Sequence, residues 1–207
     1  FWWGGQYTCG GTVIDESWVL TAAHCLEAER YGIYWDPEYI KVSFNSTTAP
    51  SSSSYIYASS FVKHESYNSQ NLLNDIGLIR LSSSLDLSKV AALPLYDFDS
   101  LQSGTPAYVT GWGRTSTYGG TSSRLLGTAV NIDSGCGAWA FVPASEVCAW
   151  NGGSSGVCSG DSGGPLVTKV NNVVYLAGVV SYGSASGCAT STHPDVFTRV
   201  SYFKNWI

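Results

Sequence analysis

Ser162 sits in the run Gly160-Asp161-Ser162-Gly163-Gly164-Pro165. A serine placed this way can act as a nucleophile if a base takes its proton and donors wait where an oxyanion will form. A glycine two residues ahead lets the backbone turn so that the N–H groups of Gly160 and Ser162 face one point. The glycines that follow keep bulk away from an approaching substrate backbone. Alone, the run also reads as an ordinary glycine-rich turn. Two upstream stretches tip the reading towards chemistry. Leu20-Thr21-Ala22-Ala23-His24-Cys25 supplies an imidazole, and Asn74-Asp75-Ile76-Gly77-Leu78-Ile79-Arg80-Leu81 supplies a carboxylate. Together they suit acyl transfer: His24 as base and then acid, Asp75 holding its tautomer, Ser162 attacking a carbonyl. A lone aspartate before a strand is usually a turn residue; only its companions lift Asp75 above that. His64, in Lys63-His64-Glu65-Ser66, reads as a surface residue.

Short strands must carry these groups. Thr12-Val13-Ile14-Asp15 and Trp18-Val19-Leu20 read as a hairpin. Ala22-Ala23-His24-Cys25 reads as a short helical turn that fixes His24. Tyr39-Ile40-Lys41-Val42, Tyr55-Ile56-Tyr57-Ala58, Phe61-Val62-Lys63-His64 and residues 76–81 read as strands or strand edges, the last by its alternation of apolar residues. Residues 81–99 read as a connection, Ala107-Tyr108-Val109-Thr110 as the start of a second unit, and Gly111-Trp112-Gly113 as a tight turn. Residues 45–54 are a polar loop containing the sequon Asn45-Ser46-Thr47, a weak sign of surface exposure. No period of twenty to fifty residues repeats, against a solenoid or propeller.

The 207 residues are 44% hydrophobic and 12% charged with 23 glycines, which suits a packed, turn-rich globule and not a disordered chain. The net charge is −5 and no basic cluster exists, so nucleic acid is not an expected partner. No apolar stretch approaches the ~18 residues of a membrane-spanning helix. Six cysteines allow fifteen pairings, and the sequence alone does not choose among them. Buried free thiols are the rival reading. Zinc is less favoured because no Cys-x-x-Cys pair is present.

The chain order His24, Asp75, Ser162, with Gly111-Trp112-Gly113 and the cysteines, resembles the trypsin/chymotrypsin family of serine endopeptidases. The resemblance runs from about Cys9 to Ile207. It implies an all-β fold of two six-stranded antiparallel Greek-key barrels with a short C-terminal helix, the helix lying within residues 197–207. It divides the chain into residues 1–95, carrying His24 and Asp75, and residues 96–207, carrying Ser162. It implies the disulfides Cys9–Cys25, Cys136–Cys148 and Cys158–Cys188, hence an oxidising, extracellular, secreted setting. The Gly160 and Ser162 amides become the oxyanion hole. Asp161 becomes the partner of an α-amino group freed by zymogen cleavage. The segment opening Ile/Val-Val-Gly-Gly that would bring this amine is not in the chain, which reads as a part of a longer protein; the rival is a chain locked in a zymogen-like state. Many trypsins hold calcium through glutamates in the loop matching residues 45–54. This loop has no carboxylate, so no calcium, and no other metal or organic cofactor, is expected.

The same resemblance puts Gly156 at the base of the specificity pocket, where trypsins carry an acid. Ser181-Tyr182-Gly183 becomes the edge that pairs with substrate backbone by strand addition, and Gly183 leaves the pocket mouth open to large apolar and aromatic side chains. Asp195, in His193-Pro194-Asp195-Val196-Phe197, falls on a wall position that is usually glycine. It reads either as a solvent-facing turn residue or as a carboxylate inside the pocket. Gly156 with Asp195 is similar to the crustacean collagenolytic proteases, the brachyurins, which accept apolar and basic side chains; collagen cleavage itself is analogy alone. Expected partners are protein or peptide substrates and protein protease inhibitors, acting on a monomer. A non-catalytic homologue serving as a binding module is the alternative. An α/β esterase is disfavoured because the histidine precedes the serine.

Overall fold

Alternation of apolar and polar residues, broken by glycine and serine turns, gives short antiparallel strands. The computed structural model describes residues 1–3, 6–27, 36–49, 55–98, 101–133, 135–136 and 142–207. Thirteen strands are seen among them: β1 (Trp2–Trp3), β2 (Gln6–Tyr7), β3 (Thr12–Asp15), β4 (Trp18–Thr21), β5 (Ile40–Ser43), β6 (Tyr55–Lys63), β7 (Gly77–Leu81), β8 (Pro106–Gly111), β9 (Leu126–Asp133), β10 (Glu146–Trp150), β11 (Pro165–Val170), β12 (Val173–Tyr182) and β13 (Asp195–Arg199). One short helix, α1 (Val200–Phe203), follows.

The strands form two all-β units. In the first, seven strands run in the order β2-β1-β5-β6-β7-β4-β3, two of them only two residues long. The second is a closed six-stranded barrel, β10-β13-β12-β11-β8-β9. Each unit has its own core, one around Leu20, Leu26, Ile40, Ile76 and Ile79, the other around Val109, Ile132, Leu166 and Phe197. Closure leaves the second unit without free edges. β12 illustrates the packing, being buried from Leu176 to Ser181 while β8 alternates buried and exposed residues. Leu176 and Val179 of β12 and Phe203 of α1 also join the first core, so the two units share apolar surface.

The hairpin β3–β4 and the 3₁₀ turn Ala23–Leu26 form as expected. Elsewhere the bounds shift. Tyr39 belongs to a 3₁₀ turn, Pro37–Tyr39, because Pro37 presets that turn and Asp36 accepts the Glu38 N–H at 3.1 Å. The two strands expected over residues 55–64 are one strand, β6, which ends at Lys63 and carries a register shift between Ala58 and Ser60. The short C-terminal helix forms within residues 197–207 as expected, at Val200–Phe203, while residues 197–199 before it pair within the barrel as part of β13. The residue 45–54 loop is described through Ala49, where Thr48 bridges Arg124 of the other unit; its residues 50–54 lie outside the described residues. Asn45 is exposed.

Candidate active site

Register brings the first two groups together. β4 and β7 are antiparallel neighbours with Thr21 opposite Gly77. His24 lies just after the end of β4 and Asp75 just before the start of β7, so both sit at one end of the strand pair. Asp75 is completely buried. Its Oδ1 accepts the His24 backbone N–H at 2.8 Å, and its Oδ2 lies 2.7 Å from His24 Nδ1. A carboxylate accepts, so Nδ1 carries the hydrogen and Nε2 keeps its lone pair.

Two further donors fix Asp75. Ser181 Oγ donates to Oδ2 at 2.6 Å, and Thr198 Oγ1 donates to the Asp75 carbonyl at 2.7 Å. Both come from the second unit. Ser181 was read from sequence as a substrate-edge residue, through its backbone; its hydroxyl is turned onto Asp75.

Ser162 reaches the same place from the other side. Gly163 N–H donates to Val180 O at 2.8 Å and Val180 N–H to Gly164 O at 2.9 Å, so the serine loop lies against the residue next to Ser181. The Ser162 carbonyl accepts from Gly10 N–H at 2.8 Å. A Cβ on Gly163 would meet Ala22 N at 3.2 Å, which puts the loop against the segment leading into His24. The three groups therefore share one neighbourhood where the units meet.

The amides between them sort cleanly. Asp161, Gly163 and Gly164 donate to the carbonyls of Cys158, Val180 and Asp161. Those of Gly160 and Ser162 have no acceptor among the described residues. Gly160 holds φ at +99°, open to glycine alone at little cost. The Tyr7 phenol donates to its carbonyl at 2.9 Å, fixing the peptide that follows. Asp161 accepts from Gly113 N at 2.8 Å and Cys158 N at 2.9 Å. Burial raises its pKa and these two bonds pull it back in part. It also lines a separate cavity of about 390 Å³.

Beside Ser162 opens a cavity of about 220 Å³ walled by Val157, Ser181, Tyr182, Gly183 and Asp195. Asp195 is 9% exposed and faces inward; it is not a solvent-facing turn residue. Its Oδ2 accepts Val157 N–H at 2.9 Å. A Cβ on Gly156 would come within 2.5 Å of Oδ2, and one on Gly183 within 2.9 Å of Oδ1. The two glycines thus make room for this carboxylate. Burial pushes its pKa up to about 6, with the Val157 bond acting in the opposite direction and the Asp161 charge adding a little. The three disulfides are Cys9–Cys25, Cys136–Cys148 and Cys158–Cys188. Among the described residues the only metal-ligand grouping is Cys9, His24 and Cys25, and its two sulfurs are already joined to each other.

The trypsin family profile matches residues 2–207. The chain belongs to the trypsin family. It is 36% identical over 97% of its length to bovine chymotrypsin-like elastase family member 1, covering 77% of that protein. It is 39% identical over 98% of its length to mouse chymotrypsin-C, again covering 77%. The human chymotrypsin-like elastase family member 1 is 34% identical over 99% of this chain and 81% covered. The protein is a chymotrypsin-like serine endopeptidase, a hydrolase acting on protein or peptide substrates.

This trypsin-family site uses residues that motifs do not reveal. Tyr7 meets Gly160 across 153 positions, and Thr198 meets Asp75 across 123. No local pattern marks either pairing. Ser181 lay inside a noticed motif, and its hydroxyl contact with Asp75 was not foreseen. His64 packs edge-on against Phe203, 5.1 Å between ring centres, and accepts from Ser66 N, away from the chemistry.

Proposed function

We propose that this endopeptidase is a secreted enzyme working through His24, Asp75 and Ser162. The observation that supports this most is the hydrogen-bonded set on Asp75, with the imidazole on one oxygen and its own backbone N–H on the other. His24 takes the Ser162 proton as the hydroxyl attacks the peptide carbonyl. Asp75 holds the tautomer and stabilises the imidazolium. The Gly160 and Ser162 amides bind the oxyanion. His24 then protonates the leaving amine and activates water for deacylation. The barrels divide the work at residues 95 and 96. Three disulfides suit an oxidising compartment, and no helix among the described residues is long and apolar enough to cross a membrane.

The pocket selects large apolar and aromatic side chains before the scissile bond and tolerates Arg and Lys. The neutral Gly156 base and open Gly183 mouth favour the former; the inward Asp195 carboxylate favours the latter, as in the brachyurin pattern. Asp161, in its own cavity, receives the α-amino group of an activated chain. The enzyme acts as a monomer open to protein inhibitors. A fluorophosphonate probe tests the nucleophile: wild type is labelled on Ser162 and Ser162→Ala is not. Labelling elsewhere, or none on active enzyme, overturns the assignment.

A further inference from the structure

Glu146 opens β10 and is only 4% exposed. A carboxylate taken out of water at that depth needs partners, and it has two of different kinds. Oε2 accepts Val142 N–H at 2.6 Å, inside the loop closed by Cys136–Cys148. Oε1 accepts the Tyr182 phenol at 3.2 Å. Burial raises the acid's pKa, opposed by both bonds, with the Asp75 charge raising it slightly further. Arg199 does not neutralise it: its Nε donates to the Glu146 backbone carbonyl, at 3.2 Å.

The far end of this link is the site wall. Tyr182 ends β12, directly before Gly183, and lines the cavity beside Ser162. Its ring packs against Cys136, Cys148 and Val196. Residues along a strand alternate in direction with a period of two. A peptide paired along residues 181–183 would therefore lay side chains upstream of the pocket residue against this ring. The Glu146 carboxylate holds its phenol end.

We propose that Glu146 is a positioning residue for extended substrates, clamping the Tyr182 phenol to the Cys136–Cys148 loop so that the ring stands as a fixed wall for substrate residues upstream of the specificity pocket. The clamp rests on the endopeptidase site proposed above. It acts on how long peptides bind and leaves the reacting atoms alone.

The test compares a tetrapeptide anilide with a single-residue anilide sharing the same residue before the scissile bond. Tyr182→Phe keeps the ring and removes the hydroxyl; Glu146→Ala removes the acid. Each lowers the tetrapeptide-to-single-residue ratio of kcat/KM about tenfold, mainly through KM, and the double variant falls no further than either alone. Glu146→Gln recovers most of the ratio, since its amide can accept from Val142 N and donate to the phenol oxygen. An unchanged ratio in Tyr182→Phe, additive losses, or parallel loss on both substrates overturns the clamp. If Glu146→Ala does not fold, Tyr182→Phe and Glu146→Gln, singly and combined, decide the same point. Wild type that cleaves neither anilide overturns the endopeptidase site instead. Binding of the tetrapeptide acid by calorimetry then judges the clamp, which requires weaker binding in Tyr182→Phe.

Discussion

Asp75 and Asp195 are both buried acids within reach of the same cleft, yet they are served very differently. Asp75 takes a backbone N–H on one oxygen and an imidazole and a hydroxyl on the other, with a second hydroxyl on its carbonyl. Asp195 takes one N–H on Oδ2, and no donor reaches its Oδ1 among the described residues. The first has three hydrogen bonds on its carboxylate, all made inside the protein, and these hold it where it can orient a neighbour. The second keeps an oxygen towards a cavity and is pushed up to about 6 by burial. A carboxylate left half-served beside a cavity suits a ligand that brings its own donor.

The sharpest way to break this contrast is Asp75→Asn. The amide can offer N–H to His24 Nδ1, which reverses the tautomer and places hydrogen on Nε2. Turnover should fall about 10⁴-fold while the fold is kept. Steady-state kinetics, with the folded fraction taken from urea unfolding, would check it; a loss under tenfold would mean that Asp75 does not orient the base.

Asp195→Gly asks the opposite question. It should leave cleavage after Phe nearly intact and lower the Arg-to-Phe ratio of kcat/KM about 100-fold, the scale for truncating one partner of a buried charge pair. An unchanged ratio would remove Asp195 from specificity. The wild-type pH profile of that ratio sharpens the point, because steps common to both substrates cancel in it. Asp195 loses its charge as pH falls through about 6, so the ratio should drop by about tenfold per unit below that point, by simple titration. Stability has its own sign. An acid whose folded pKa lies above its usual 3.8 favours the fold while protonated, and that contribution is lost as pH rises from about 4 to about 6. Asp195→Gly should flatten the stability curve in that window, measured by urea unfolding.

Sequence made the proposed catalytic groups legible because acyl transfer needs particular residue types, and His24, Asp75 and Ser162 sit in short runs that carry them. The hairpin β3–β4 and the turn at Ala23–Leu26 were legible for a similar reason: their pairing is local. The strands β9 to β12 were not assigned, although β11 and β12 pair locally with Val170 opposite Val173; the pairings that close the barrel, β8 with β11 and β10 with β13, join segments far apart along the chain and leave no local pattern. Residues 197–199 fell inside the stretch that the resemblance gave to the closing helix, and they pair as β13 because β10 and β12 flank them. Asp195 was left open between solvent and pocket, because its direction depends on the space beside Gly156 and Gly183. Glu146 and Tyr7 gave no signal at all: a lone Glu in a strand and a lone Tyr near a cysteine become informative only when their partners are known.

The smallest predicted effect tests whether the third bond on the Asp75 carboxylate matters beyond its imidazole. Ser181→Ala removes the 2.6 Å bond to Oδ2 and leaves the His24 contacts in place. A hydrogen bond to a charged group contributes about 1.5–3 kcal/mol, shared here between the fold and the orientation of the carboxylate. Stability should fall by about 1–2 kcal/mol, and kcat by about tenfold, with KM nearly unchanged, because the Ser181 hydroxyl touches the orienting acid. Calorimetric melting and steady-state kinetics on one small substrate separate the two parts. A kcat equal to wild type with the full stability loss would assign Ser181 to the fold alone. Asp75 would then be oriented sufficiently by the His24 and Thr198 bonds, and the contrast with Asp195 would rest on fewer donors.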